Sequence, residues 1–350
     1  MEVDYIIVGQ GIAGTVLADH LMSSGHSVLM YDNPVHSNSS RVAGGLYNPI
    51  TGRKMVKTWL ADELFSYLIP YYKHLEIKLG TKFLMDVPIY RPFVSIEELN
   101  EWMGKSSELA FDPYIKEVYG TSQFGEHIKD EFGGLLLNQS GYLNTGEMVR
   151  AFRAYLSAEN ALKEQSFDVE KLELVNGRVE YGEHSAGRVI FCDGPLLSSN
   201  SYFSWLPLSP VKGELLFIKV EGDFEAIYNR GVFIIPIGDG ICKVGATYDH
   251  YNLDQKTTER ARKQLIEKLD GLMCLPYKVI DQVAGIRPAT KDRRPFVGIH
   301  PKHSQLGVFG GLGTKGVSLA PFFAKQFVEH MTKQKELKME ANIQRFFSLY

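Results

Sequence analysis

The chain opens with alternating strand and helix patterns. Residues 4–8 form a short apolar run that is typical of a fully buried strand, and a glycine turn follows them. Apolar residues then recur at helical spacing until Gly25, a residue type that commonly ends helices. Residues 27–32 predict a second strand. The opening therefore predicts a strand–helix–strand unit with parallel strands.

Helical and strand patterns continue to alternate farther along the chain. Helices are predicted over residues 58–80, 145–162, 256–272 and 318–331. Antiparallel strands are predicted over residues 213–220, 231–238 and 241–248. Residues 38–57 predict a long loop, and Thr145 is a candidate helix cap. The polar tail from Thr332 predicts a surface helix with weak tertiary ties.

Gly9, Gly11 and Gly14 form a G-x-G-x-x-G pattern between the first strand and the first helix. Such glycines permit a tight turn, a close approach of backbone to a pyrophosphate, and close helix–strand packing. Asp32 ends the second strand, where a carboxylate can accept the 2′-hydroxyl of an adenosine ribose and would repel a 2′-phosphate. The pattern predicts FAD or NAD and disfavours NADP.

The segment after the second strand favours FAD over NAD. Ala43, Gly44 and Gly45 would let backbone approach a flat ring system, whereas a nicotinamide enzyme would more often continue with regular strand–helix units. Arg41 could contact a phosphate. Arg41 also begins a basic run, without acids, that continues with Arg53, Lys54 and Lys57. This run is either a solvated loop or a contact for FAD phosphates or an anionic substrate.

Composition narrows the class of protein. The chain has 350 residues, 44% of them hydrophobic, and a formal net charge of −3, so non-specific nucleic-acid binding is not predicted, although a local basic patch remains open. Cys192, Cys242 and Cys274 lie far apart, which predicts neither disulfides nor a metal site and favours a reducing cytoplasm. The longest apolar runs are strand-sized, so no membrane span is predicted.

Arg287 interrupts an apolar run directly before Pro288. Arginine is rarely buried without an anionic partner. The segment is therefore either an ordinary surface loop or a positive charge directed into a pocket at a carboxylate.

Four separated stretches together resemble one family. They are YIIVGQGIAG with Asp32, RVIFCDG with LPLSPVKGEL, VAGIRPATKDRRPFVG, and FGGLGTKGVSLAP. In this order they are similar to the FAD-dependent D-amino-acid oxidase superfamily, in the branch of glycine oxidase and sarcosine oxidase. GGLGTKG and GLYNP are closer to the flavin-dependent half of the bifunctional wobble-uridine tRNA-modifying enzyme. The resemblance covers essentially the whole chain.

The resemblance assigns roles to individual residues. Arg287 would hold a substrate carboxylate above the flavin, the alternative being a structural ion pair. Lys243 matches a lysine that favours oxygen activation, or is a strand-end lysine in solvent. Tyr248 would line the substrate pocket, or is simply packed with its hydroxyl satisfied. Gly285 stands where sarcosine oxidase carries a flavin-linked cysteine, so the resemblance implies non-covalent FAD.

The final glycine-rich loop resembles the flavin loop of the family, in which backbone amides at a helix start meet the electron-rich edge of the ring. Many family members carry histidine there, whereas this chain has Leu312 and Gly313. The predicted cofactor-binding residues are Gly9, Gly11, Ile12, Ala13, Gly14, Asp32, Asn33, Arg41, Ala43, Gly44, Gly45, Leu46, Phe167, Cys192, Gly194, Gly285, Arg287, Gly311, Leu312, Gly313, Thr314, Lys315, Gly316 and Val317.

The implied fold class is α/β, with a Rossmann-like FAD-binding domain interleaved with an α+β substrate domain on a mostly antiparallel sheet. The FAD-binding domain is predicted to comprise residues 1–80, 141–206 and 283–350. The substrate domain is predicted to comprise residues 81–140 and 207–282.

The implied activity is oxidation of the C–N bond of a small amino acid or N-substituted glycine, with hydride transfer from the α carbon and hydrolysis of the imine. The first alternative is removal of carboxymethyl from carboxymethylaminomethyl-uridine in tRNA, although this chain lacks the methyltransferase half of the bifunctional enzyme. A basic face around the pocket mouth would favour it. A non-catalytic flavoprotein is a further alternative, and an NAD-dependent dehydrogenase is a distant one. The amine, the electron acceptor and the oligomeric state stay open.

Overall fold

The computed structural model describes residues 1–33, 39–52 and 54–350. Its strands are β1 (Glu2–Val8), β2 (Val28–Tyr31), β3 (Leu46–Tyr47), β4 (Ile50–Thr51), β5 (Val56–Lys57), β6 (Leu84–Met85), β7 (Ile89–Pro92), β8 (Ile115–Tyr119), β9 (Gly134–Leu137), β10 (Gly141–Leu143), β11 (Leu162–Lys163), β12 (Glu173–Val175), β13 (Arg178–Tyr181), β14 (His184–Phe191), β15 (Val211–Val220), β16 (Ile227–Arg230), β17 (Val232–Gly238), β18 (Ile241–Gly245), β19 (Tyr277–Arg287), β20 (Phe296–Ile299) and β21 (Leu306–Gly310). Its α-helices are α1 (Ile12–Ser23), α2 (Ser39–Val42), α3 (Ala61–Leu79), α4 (Ile96–Lys105), α5 (Thr145–Ala158), α6 (Glu259–Asp270) and α7 (Gly316–Lys333).

The first large sheet has a parallel centre. Its order is β11-β2-β1-β14-β13-β12, with β21 pairing β14 and β20 pairing β21. Strand β1 pairs in parallel with both β2 and β14, and β21 also pairs in parallel with β14. Because α1 connects β1 to β2, the predicted opening unit is confirmed. The carboxyl ends of these strands are where an α/β sheet binds its cofactor.

The second large sheet is mostly antiparallel, in the order β19-β15-β18-β17-β16-β7-β9-β8. The only parallel pair among its described strands is β16 with β7. The two sheets confirm the predicted α/β class with interleaved halves. Strand β19 runs unbroken across the predicted domain boundary at residue 283 and ends at Arg287. The exact division into domains stays a prediction.

A shared apolar core holds the helices to the first sheet. Val16, Leu17 and Leu21 of α1 are fully buried, as their helical spacing predicts. Helix α7 packs against α1 and α3, and Phe323 and Phe327 of α7 lie in the same core. Among the described residues, we find no helix with the length and apolar character needed to cross a membrane.

Three local predictions are wrong. In place of one long loop, the described part of residues 38–57 holds α2, β3, β4 and β5. Thr145 is the first residue of α5 and Asn144 is its cap, because the Asn144 side chain accepts a hydrogen bond from the Glu147 amide at 3.2 Å. The tail is no α-helix: α7 ends at Lys333, and a 3₁₀ helix covers Ile343–Leu349. The tail is also tied down, since Ile343 is fully buried in the core around β20.

Candidate active site

The glycine turn after β1 leaves no room for side chains. A Cβ at Gly14 would lie 1.9 Å from the carbonyl oxygen of Gly9, and a Cβ at Gly9 would lie 2.8 Å from that of Cys192. Helix α1 begins with Gly11 as its cap, without a side-chain cap and without acids in its first turn. The Ile12 amide donates to Ser40 Oγ at 3.0 Å. This cradle of backbone donors at a helix N-terminus fits the pyrophosphate of FAD.

Asp32 lies beside this turn in a charged network. Its Oδ1 accepts from the Gln10 amide at 2.9 Å, and its Oδ2 accepts from Arg153 Nη1 at 2.8 Å. Arg41 Nη2 lies 4.0 Å from the same Oδ2. Arg153 lies on α5. The sequence did not indicate this contact, because Arg153 and Asp32 are far apart along the chain. The network fixes the carboxylate that we predict to meet the ribose.

The other predicted residues on this side are partly core. Asn33 Nδ2 donates to Ser166 Oγ at 2.9 Å. The Phe167 ring stacks on Tyr181, with centroids 4.0 Å apart. Cys192 is buried, and burial holds the pKa of its thiol well above the usual range, in keeping with a core residue and not a nucleophile. The roles of Asn33, Phe167 and Cys192 at the cofactor stay predictions.

Asp193 is a second feature that the sequence analysis did not identify. A Cβ on Gly9 would lie 3.0 Å from its Cα, so it borders the glycine turn, and Gly194 follows in a left-handed conformation with φ 59°. Its Oδ1 is buried without a hydrogen-bond partner among the described residues. Burial raises the pKa of this carboxyl to about 7.

The raised pKa predicts a pH-dependent stability. Since the folded pKa lies above the unfolded value, the stabilising contribution is complete below about pH 4 and is lost as pH rises through 7. Relative to Asp193→Asn, wild type should lose about 2–3 kcal/mol of unfolding free energy between pH 5 and pH 8. Urea unfolding of both proteins at the two pH values measures this. Parallel pH profiles would show that Asp193 is already ionised in the fold.

The loop between α2 and β3 lies directly on the second sheet. A Cβ at Gly44 would lie 2.7 Å from Phe233 Cζ, and one at Gly45 would lie 1.9 Å from the Leu143 carbonyl oxygen. Gly45 also has a φ of 72°. The small residues at these positions are therefore required by contacts within the protein, in addition to any approach to the flavin.

Lys243 reaches this loop from β18. Its Nζ donates to the Ala43 carbonyl oxygen at 3.3 Å and lies 5.7 Å from the Phe217 ring centre. It forms no ion pair with an acidic side chain in the part of the chain that the structure describes. Burial lowers the pKa of its amine. Lys243 is thus a partly buried cation in the middle of the sheet face that meets the predicted flavin loop.

Arg287, at the end of β19, is the second cation on this face. Its Nη1 donates to the Thr247 carbonyl oxygen at 3.1 Å, and its guanidinium lies 4.7 Å from the Tyr248 ring centre. Burial lowers its pKa, and no acidic side chain in the described ranges forms an ion pair with it. The alternative of a structural ion pair therefore finds no partner among those residues. Tyr248 is 64% exposed, so it covers the guanidinium from the solvent side.

Gly213 completes the Arg287 site. A Cβ at this position would lie 2.0–2.3 Å from the guanidinium atoms of Arg287, so the side chain lies flat against the backbone of β15. Gly213 is opposite Gly285 in the sheet, and a Cβ at Gly285 would lie 2.7 Å from Val42. A glycine within a predicted strand often marks such a close approach. Gly213 in VKGEL is a glycine of this kind, so the sequence offered a signal for the contact.

The glycine-rich loop before α7 joins the two halves of the site. The Gly313 amide donates to the Pro288 carbonyl oxygen at 3.1 Å, directly after Arg287. A Cβ at Gly316 would lie 3.1 Å from Ile12, so the N-termini of α1 and α7 meet. Leu312 is buried and Thr314 is exposed. Lys315 is the N-cap residue of α7, and no side chain caps the helix there.

The comparisons with known proteins agree with this architecture. A family described as FAD dependent oxidoreductase matches residues 4–330. Glycine oxidase of Pseudomonas putida is 23% identical over 95% of both chains. The bifunctional tRNA 5-methylaminomethyl-2-thiouridine biosynthesis protein MnmC of Vibrio campbellii is 23% identical over 91% of this chain, which spans only 54% of that protein. The family model shows the family, and the relatives, at 23% identity, do not establish the substrate.

Two solved structures share the fold. Glycine oxidase from Geobacillus kaustophilus has a TM-score of 0.79 at 19% identity, covering 99% of this chain and 98% of that one. Iminodiacetate oxidase from Chelativorans sp. BNC1 has a TM-score of 0.78 at 18% identity, covering 98% of each chain. The likeness extends over both large sheets, because nearly the whole chain is covered.

Proposed function

Since the chain belongs to the FAD-dependent oxidoreductase family, we propose that it oxidises the C–N bond of a small amino acid or N-substituted glycine. The observation that carries the substrate class is the Arg287 guanidinium, which is partly buried and has no acidic partner among the described residues. A desolvated guanidinium is stable next to an anion, and its planar fork matches a carboxylate.

The residues around Arg287 have a positioning role in this proposal. When bound, FAD supplies the two-electron oxidation. Thr247, Tyr248 and Gly213 hold the guanidinium from three sides, so that its remaining donors would fix the substrate carboxylate and the carbon next to it. Lys243 would supply a positive charge on the same sheet face, where it would favour reaction with oxygen.

A substrate screen tests the proposal. Glycine, sarcosine, D-amino acids and carboxymethylaminomethyl-uridine are added anaerobically to the FAD-loaded protein, and bleaching of the flavin absorbance is followed. At least one should reduce the flavin, and its methyl ester should do so much more slowly because the carboxylate is lost. If every acid and its ester react equally, Arg287 does not recognise the substrate.

We propose tRNA as the second candidate substrate because of two exposed aromatic rings: Tyr248, which lies on the Arg287 guanidinium, and Tyr251, three residues later in the chain. Tyr248 is 64% exposed and Tyr251 is 94% exposed, and such rings can stack on unpaired bases. Lys291 and Arg293 are exposed on the loop after Arg287. If tRNA is the substrate, Tyr251→Ala should weaken turnover of modified tRNA more than turnover of the free nucleoside. Equal effects on both would argue against this candidate.

The predicted basic run between Arg41 and Lys57 supports tRNA as the substrate less strongly than the aromatic rings do. Lys57 forms an ion pair with Asp62 at 2.8 Å, and Lys54 is exposed. Arg53 lies outside the described residues. The run is therefore partly neutralised within the protein.

Changing Lys243 to methionine should slow reoxidation of the reduced protein by oxygen, by about ten- to a hundredfold, because a cation stabilises the superoxide that forms first. Anaerobic reduction by substrate should be nearly unchanged. Stopped-flow absorbance measures both steps. Lys219→Met, an exposed lysine on the neighbouring β15, is the matched control. An unchanged oxygen rate would mean that Lys243 is structural or that oxygen is not the electron acceptor.

The FAD should be held without a covalent bond, because Gly285 offers no side chain and Val42 closes the space above it. Acid precipitation should release the yellow colour into the supernatant. Colour that stays with the pellet would reveal a covalent link through another residue.

A further inference from the structure

Lys315, in the glycine-rich loop before α7, and Arg294 form a second group of cations. Lys315 Nζ donates to Thr51 Oγ1 at 3.0 Å and to Thr58 Oγ1 at 2.9 Å. The Arg294 guanidinium lies 4.1 Å from the centre of the Trp59 ring. We call Lys315, Arg294, Thr51 and Thr58 the hairpin cluster, since Thr51 ends β4 and Thr58 directly follows β5 of the β4–β5 hairpin.

The positive charge of the hairpin cluster is not compensated by any acidic side chain within residues 1–33, 39–52 and 54–350. Neither Lys315 nor Arg294 forms an ion pair with an acidic side chain among the residues that the structure describes. Burial and, to a smaller extent, the charge of Arg294 together lower the pKa of the Lys315 amine to about 8. Threonine hydroxyls accept hydrogen bonds but bring no negative charge. Two cations held together in this way gain most from an anionic ligand.

The cluster is connected to the Arg287 site through the backbone. Lys315 follows Gly313, whose amide donates to the Pro288 carbonyl oxygen at 3.1 Å. Arg294 follows Thr290, whose Oγ1 donates to the Arg294 carbonyl oxygen at 2.9 Å. Both cations therefore sit on segments that start directly beside Arg287. The pyrophosphate of FAD has its own donors at the start of α1, and the flavin ring, which the loop of Lys315 is predicted to meet, is the alternative partner that the experiment below distinguishes.

We propose that the hairpin cluster is a second anion subsite, and that the substrate is an amine with two carboxylates, one bound by Arg287 and the other by Lys315 with Arg294. The proposal rests on the proposed function, because Arg287 must hold the first carboxylate. N-carboxyalkyl glycines have this chemistry: the oxidised carbon lies next to one carboxylate, and the other arm of the nitrogen carries the second. Glycine itself would leave the hairpin cluster uncompensated.

The reaction is the one already proposed. One C–H bond and one N–H bond of the substrate would be broken, and the two electrons and two protons released would be taken up through the oxidation that bound FAD supplies. Water then adds to the C=N bond, and the C–N bond breaks to give a 2-oxo acid and an amine that keeps the second carboxylate. No further oxidant or reductant is needed.

Binding of unreactive analogues tests the subsite. In these analogues sulfur replaces the amine nitrogen: methylthioacetate has one carboxylate, whereas thiodiacetate and its homologues with one or two more methylenes in one arm have two. The change in flavin absorbance gives the Kd on the FAD-loaded protein. The dianion of best length should bind at least about tenfold tighter than methylthioacetate. Lys315→Met should abolish that preference, and Arg294→Gln should reduce it.

Lys302→Met is the matched control, because Lys302 is an exposed lysine that belongs to neither proposed site, and it should keep the preference. The proposal is overturned if no dianion binds better than methylthioacetate, or if the preference survives in Lys315→Met. It is likewise overturned if Lys315→Met shifts the flavin midpoint potential without changing the preference, since Lys315 then serves the cofactor. Competition by a short RNA but by no dicarboxylate would assign the cluster to a nucleic acid instead.

These failures differ from failure of the proposed function. If Arg287→Ala binds methylthioacetate as tightly as wild type, the first carboxylate is not held by Arg287 and the proposed function falls. If Arg287→Ala loses methylthioacetate but dianions show no advantage, only the second subsite falls.

Discussion

Replacing Arg287 with alanine should lower kcat/KM for a carboxylate-bearing amine by roughly 30- to 1,000-fold, which corresponds to about 2–4 kcal/mol. The guanidinium is partly buried and contacts the Thr247 carbonyl oxygen, the Tyr248 ring and the backbone at Gly213, with no acidic partner among the described residues, so its loss removes the charge that the substrate carboxylate would meet. Steady-state kinetics with the best amine of the screen measures the effect.

Arg287→Lys is the informative companion variant. Lysine keeps the charge but loses the planar fork, so binding should still weaken, though less than in Arg287→Ala. The FAD content should stay the same in both variants. If the alanine variant treats the acid and its carboxylate-free analogue as wild type does, Arg287 is a scaffold residue and our interpretation of the site is wrong.

Gly213→Ala should lower kcat/KM by about ten- to a hundredfold without removing any functional group. The new methyl group would occupy the space of the Arg287 guanidinium, at 2.0 Å from Nη2, and would push that side chain away from Thr247 and Tyr248. The FAD content and the thermal midpoint of unfolding show whether the fold is retained.

A double-mutant cycle separates this effect from general damage to the sheet. In the Arg287→Ala background the Gly213→Ala change should have almost no further effect on kcat/KM, because no guanidinium remains to be displaced. Additive losses in the double mutant would show that Gly213 acts on the site through something other than Arg287.

The parts of the fold that sequence predicted are those with short-range signals. The spacing of Val16, Leu17 and Leu21 indicates the buried face of α1 directly, and Gly9 and Gly14 mark the turn before it. By contrast, Asn144 and not Thr145 caps α5, because neighbouring polar residues compete and only the backbone geometry decides between them.

The parts of the site that sequence missed depend on contacts between distant segments. Gly213 meets Arg287 only because β15 and β19 pair in one particular register. Lys315 meets Thr51 and Thr58 across most of the chain, and Asp193 is isolated by packing around the glycine turn. Sequence offers the residue types for these contacts, but burial and long-range pairing determine which partners they find.

The central position of β1 sets a condition on synthesis of the protein. Residues 2–8 leave the ribosome well before their parallel partner β14 at residues 184–191, and also before β21 at residues 306–310, which pairs with β14. Contacts between residues so far apart in the sequence form slowly, because the chain loses conformational entropy before the contacts contribute stability. The first sheet therefore cannot be completed until residues 306–310 have been translated, and until then its earlier apolar strands lack part of their packing.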